Sequence, residues 1–111
     1  MSKKLYHKIE DAKLLVKKNP ELKGIASDEI IVKNMPIKIM VKHILDDQPD
    51  YSGWTFLAGT ETQEDLDDVK KSGVYTLNFI ANYDSKIVKY LGAPTGTTIE
   101  FDETDTPVVS H

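Results

Sequence analysis

The chain contains no cysteine and no arginine. Without cysteine there is no disulfide staple, no thiolate zinc site and no cysteine nucleophile, and a cytoplasmic address is the expectation. Without arginine the planar fork that grips carboxylates, phosphates and guanine edges is missing, so any anion site has to work with lysine. Aromatic residues amount to 8%, with a single tryptophan. No apolar run approaches the roughly 18 residues of a membrane span, so no membrane association is expected. The opening Met1-Ser2-Lys3-Lys4-Leu5-Tyr6-His7-Lys8 has no apolar core of the kind a secretory leader carries.

What remains is a 111-residue chain, 40% apolar and 29% charged, which predicts one folded domain. Its formal net charge of -4 argues against nucleic-acid binding through the whole surface. The charge is unevenly spread. Residues 1–42 hold ten lysines against five acids, whereas 43–69 hold no lysine and eight acids: Asp46, Asp47, Asp50, Glu61, Glu64, Asp65, Asp67 and Asp68. Such a block has to stay solvated or meet a complementary partner.

Leu5, Ile9, Ala12, Leu15 and Val16 recur at helical spacing behind a possible Ser2 cap, predicting a helix over 3–18 closed by Asn19-Pro20. A short strand is expected over 23–27. Ile37, Ile39, Val41 and His43 alternate with Lys38, Met40, Lys42 and Ile44, the period of a strand with one buried face. Trp54, Phe56 and Ala58 share a face of a second run, so 37–45 and 52–59 are expected to form an antiparallel hairpin with Asp46, Asp47 and Asp50 at its tip. The acidic stretch 61–68 reads as loop or short helix, and Ser72-Gly73 as a turn. Thr76 and Asp84 are cap candidates for two further short helices, the second over 85–91. Residues 97–102 alternate as a last strand, and 104–111 are expected to fray. The fold class is therefore α+β: a mostly antiparallel sheet, an N-terminal helix over 1–22 packed on the 23–103 domain, and two short helices between the central hairpin and the last strand.

Motifs for chemistry are absent. His7, His43 and His111 stand far apart, and none has a partner at metal-ligand spacing. The carboxylates of 61–68 lack the glycine of a calcium loop. There is no nucleophile elbow, and Gly92-Ala93-Pro94-Thr95-Gly96 is neither a Walker loop nor a dinucleotide fingerprint. No catalytic residue, metal or cofactor is expected.

Residues 52–59 (Ser-Gly-Trp-Thr-Phe-Leu-Ala-Gly) are followed by Glu64-Asp65-Leu66-Asp67-Asp68. Then come Gly73-Val74-Tyr75-Thr76-Leu77-Asn78-Phe79-Ile80-Ala81-Asn82-Tyr83-Asp84 and Tyr90-Leu91-Gly92-Ala93-Pro94-Thr95-Gly96. This series, over about 23–103, resembles a family of small bacterial domains classed as predicted immunity proteins of polymorphic toxin systems. The resemblance implies an α+β fold and a cytoplasmic domain that binds and neutralises a cognate toxin, with no catalytic residues. It leaves a structural role open for the motif itself, with Trp54 and Phe56 in the core, Tyr75 and Leu77 packed beneath the sheet, and Asn78, Asn82 and Asp84 as caps or turns.

A concentrated negative face suits such a role, because electrostatic steering raises association rates with a basic toxin. The contact candidates are the acids named above with Tyr51 as an aromatic anchor, and Trp54 as a second anchor if it reaches the rim. The alternative is a stand-alone interaction or regulatory module unrelated to toxins.

Overall fold

The computed structural model describes residues 4–43 and 51–110. The sheet is built around β3 (Tyr51–Leu57), whose two neighbours run in opposite senses. On one side β2 (Ile39–Lys42) pairs with it antiparallel, Met40 opposite Phe56 and Lys42 opposite Trp54, as the hairpin expectation required. On the other side β1 (Lys23–Ser27) pairs with it in parallel. The edge strand β4 (Ser72–Thr76) lies antiparallel on β1, and β5 (Thr98–Phe101) and β6 (Pro107–Ser110) continue the sheet beyond β2. The order is β4-β1-β3-β2-β5-β6, so the sheet is mixed and not the mostly antiparallel one expected.

Two of these strands correct the sequence reading. Ser72-Gly73 opens β4 and is not a turn. The tail expected to fray supplies β6, held by a turn in which Asp102 Oδ1 accepts the N–H groups of Thr104 (2.8 Å) and Thr106 (2.9 Å). Lys38 and Lys86 both reach Asp105 in that turn, at 3.2 and 3.3 Å.

Gly53 explains why a strand can carry a glycine in its middle. The register between β1 and β3 slips there: Lys23 lies opposite Tyr51 but Ile25 opposite Thr55, leaving extra residues on β3. Gly53 takes φ 89° in this bulge, and a Cβ on it would stand 2.7 Å from the carbonyl oxygen of His43. The Ser52 hydroxyl closes the bulge by donating to Lys23 O (2.8 Å) and accepting from Trp54 N (3.2 Å).

Cross-strand register divides the side chains between two faces. Gly73, Ala26, Phe56, Met40, Ile99 and Val109 form one row, and its central members are fully buried. Helices cover this face: α1 (Asp28–Ile31) brings Ile30 and Ile31, α3 (Leu77–Ala81) brings Leu77, Phe79, Ile80 and Ala81, and the 3-10 helix Ser85–Tyr90 brings Ile87. Thr76 caps α3 through Phe79 N and Asp84 caps the 3-10 helix through Lys86 N, as read from the sequence. Trp54 joins the core, its indole N–H donating to Leu91 O at 3.0 Å. In β2 the buried residue is Met40, so Ile39 and Val41 point the other way.

The N-terminal helix does not form. Among residues 4–22 the only helical stretch is a single 3-10 turn, Ile9–Asp11. The arm is otherwise irregular and lies across α3, which takes over its main-chain hydrogen bonds. Asn78 Oδ1 accepts the N–H groups of Leu15 (2.7 Å) and Val16 (3.0 Å), and Asn78 Nδ2 donates to Lys13 O at 3.0 Å. Asn82 takes both the N–H and the carbonyl of Lys13. The Tyr83 hydroxyl accepts from His7 N (2.9 Å) and donates to Ile31 O (2.7 Å). An isolated helix of this length is marginal in water, so partners that satisfy an extended backbone decide the outcome. Val16 alone among the arm's described residues is fully buried, and Ile9, expected on the packed stripe, is 60% exposed.

Candidate functional site

Asp46, Asp47 and Asp50 lie outside the described residues. Tyr51 and Glu61 stand at opposite ends of β3, separated by about 20 Å of strand.

At the C-terminal end of β3, Glu61 turns back on the chain. Its two carboxylate oxygens accept from Ala58 N (2.8 Å) and Gly59 N (2.9 Å). Burial works to raise its pKa, but hydrogen bonds from the Ser27 hydroxyl and these amides prevail and hold the carboxyl below its usual range. Ser27 also caps α1 through Glu29 N at 3.1 Å, so one buried hydroxyl ties α1 to the turn after β3.

The next acids are also committed to backbone. α2 (Gln63–Asp67) begins with a capping box in which Thr62 and Asp65 each accept the other's N–H, at 3.1 and 3.2 Å. Asp68 caps the following 3-10 turn through Lys70 N, and Asp67 accepts from the Gln63 side chain. Glu64 is exposed, and Leu66, the only large apolar residue of α2, is half exposed.

Sequence spacing did not reveal which acids would meet. Asp28 and Glu29 belong to the lysine-rich first segment, yet parallel pairing of β1 with β3 carries them to the same end of the sheet as Glu61. Asp28, Glu29, Glu61 and Asp65 line one cleft of about 270 Å³, together with Lys33 and Lys71. Lys33 pairs with Glu29 at 3.0 Å, so this end is acidic without being uniformly so. Among the described residues no group of His, Asp and Glu is placed to hold a metal ion.

At the other end of β3 the charged residues among those described that line a cavity are lysines. Tyr51 lines a cavity of about 730 Å³ with Lys17, Lys18 and Lys42, over a floor that includes Leu15 and Leu91. Among the described residues of this cavity Tyr51 therefore has lysines as its charged neighbours, while Trp54, 1% exposed, offers no anchor at a surface.

The sheet face opposite the helices was missed altogether. Val74, Ile25, Thr55, Val41, Thr98 and Ser110 make one row across all six strands, and Leu57, Ile39, Glu100 and Val108 make a second across four. None of these residues joins the buried cluster; on the edge strands Val74 is 47% and Val108 58% exposed, and the central Ile25, Ile39, Val41, Thr55 and Leu57 are half-buried. A sheet face turned to water usually alternates to polar residues, whereas this one presents β-branched and aliphatic side chains. In the sequence Ile39 and Val41 alternate with Met40 and Lys42, and only the register shows that it is Met40 that is covered.

These features define a small α+β domain with a one-sided helical layer over a mixed six-stranded sheet. Residues 24–109 match the family model described as the Immunity protein Imm33 domain, and the chain belongs to that family. No curated protein and no solved structure matches it.

Proposed function

We propose that this chain neutralises a cognate toxin in the cytoplasm by binding it, without chemistry of its own, and that the uncovered sheet face is the docking surface. The observation that carries this reading is that Val74, Ile25 and Val41, with Ile39 and Leu57 in the next row, place aliphatic side chains beside Thr55 on the sheet face opposite the helices, in a domain of an immunity-protein family. Interfaces combine a dehydrated apolar centre with a polar rim. The open rows offer the centre, and Glu64 and Asp67 at the acidic end of β3 give a steering field toward a basic partner. Acids that serve as caps contribute their charge to that field while their geometry is fixed by the fold.

The test is capture on the immobilised full chain from its native cells, followed by expression of the captured protein with and without this chain. Growth arrest relieved by the wild-type chain, and not by a folded Val41→Glu/Val74→Glu variant, is the expected result. Relief that survives the double substitution removes the sheet face from the proposal. A captured set with no growth-arresting member removes the toxin.

A further inference from the structure

The arm over residues 4–18 is held by main-chain hydrogen bonds, by Val16 in the core and by Leu5, Ala12 and Leu15 packed against it. Lys13, Leu15, Val16 and His7 present backbone N–H or C=O groups to Asn78, Asn82 and Tyr83, which belong to α3 or the turn that follows it. Tyr6 adds a main-chain bond to Ile31 O at 2.9 Å. Every one of these contacts is non-covalent, and each would form equally with the arm of another molecule.

The link between arm and domain is short, exposed and strained. Asn19 stands at φ 54°, in the left-handed region, and is followed by Pro20. A residue before proline is driven toward extended conformations, so Asn19 is disfavoured twice, by its own Cβ and by the next ring. Lys17, Lys18 and Asn19 are all exposed, and what their straightening breaks is the turn hydrogen bond from Leu22 N to Asn19 O at 3.2 Å. On the domain side the chain is fixed again at once: Leu22 O accepts from Leu77 N at 2.7 Å. The pivot is thereby confined to 17–21. The matched family stretch begins at residue 24, which leaves the arm outside the domain proper.

We propose that the arm is exchangeable: straightening at Asn19 carries residues 4–18 onto the α3 of a second copy of this chain, giving a reciprocal arm-exchanged dimer. Both states contain the same arm–α3 hydrogen bonds. The dimer gains relief of two disfavoured Asn19 conformations and loses two exposed Leu22 N–Asn19 O turn bonds and the translational freedom of one molecule, so the balance is set by concentration and by the hinge.

Hinge variants of the full chain test this. Asn19→Val, and Asn19→Thr as a gentler form of the same change, make the left-handed conformation costlier and should lower the dimer dissociation constant by about tenfold or more per hinge. Pro20→Ala lifts the pre-proline restriction and should shift the population toward monomer. Light scattering on size-exclusion fractions from micromolar to millimolar concentration reads the equilibrium.

The absence of cysteine permits a direct second readout. Copies labelled at Lys8→Cys and at Ser85→Cys, two positions lining one cavity between arm and α3, should develop energy transfer on mixing. That transfer should be faster in the Asn19→Val background. The proposal is overturned if wild type and both Asn19 variants stay monomeric throughout. It is equally overturned if a dimer forms whose amount is indifferent to residues 19 and 20, because another surface then makes it.

Discussion

Asn82 holds Lys13 by both ends of one peptide residue: its Oδ1 accepts the Lys13 N–H and its Nδ2 donates to the Lys13 carbonyl, each at 2.9 Å, across 69 positions of sequence. The same Nδ2 also donates to Asn78 O at 2.8 Å, so the side chain that ends α3 is locked before it meets the arm. One N–H and the oxygen of a side-chain amide reproduce the donor–acceptor pair of a peptide group, and here they replace the strand that an extended segment would otherwise need, while the second N–H holds Asn78 O.

Asn82→Ala should release the arm at this point and leave the domain folded. Loss of the paired bonds, both exposed to solvent, is worth about 1 kcal/mol. The expected readout is faster amide exchange at Lys13, Leu15 and Val16 and earlier tryptic cleavage at Lys13 and Lys17, with exchange in β1 and β3 unchanged. Equal acceleration in both regions would mean that the arm is part of the cooperative core.

Gly53→Ala should destabilise the whole fold. The added Cβ meets the His43 carbonyl oxygen at 2.7 Å in a conformation that alanine seldom adopts, for a cost of about 1–3 kcal/mol or more. Urea unfolding followed through Trp54, the sole tryptophan, measures it cleanly. An unchanged midpoint would remove the bulge from its structural role.

Glu61 gives the protein an acid-sensitive joint. Its folded pKa lies below the unfolded value, so at a given pH the unfolded chain binds more protons and stability rises with pH. The contribution is complete above the ordinary carboxylate pKa near 4.5 and is lost as pH falls through the lower folded value. Comparing urea midpoints of wild type and Glu61→Gln from pH 7 to pH 3, the gap should narrow below about pH 4.5. A gap of constant size would show that the carboxylate charge is not what holds the turn.

Glu64→Lys/Asp67→Lys should slow association with a basic partner while leaving the melting temperature nearly unchanged. Asp65 and Asp68 are less suitable sites for this reversal, since both are caps whose loss costs about 1 kcal/mol of stability each. Stopped-flow association at two salt concentrations gives the answer. The variant's rate should be lower and less salt-dependent, and an identical rate at low salt would remove steering from the mechanism.

Local chemistry alone was enough for the central hairpin, for the caps at Thr76 and Asp84, and for the burial of Trp54 and Phe56. In each case the deciding interaction spans few residues or follows a simple alternation. The family was legible for a related reason, because its motif lies in one contiguous stretch. The arm and β4 depended on partners more than 40 residues away and the parallel pairing of β1 with β3 on partners about 30 away, which no spacing rule reaches; β6 pairs with nearby β5, but through a turn that Asp102 organises and no alternation announced. Asn78 and Asn82 were read as caps or turns, and only folding put Lys13 and Leu15 against them. Likewise the sequence determined that Ile39 and Val41 would share a face, while cross-strand register decided that this face would stay open. It also brought Asp28 and Glu29 to the acidic end of β3, because charge is counted along the chain but its field is set by where the strands place it.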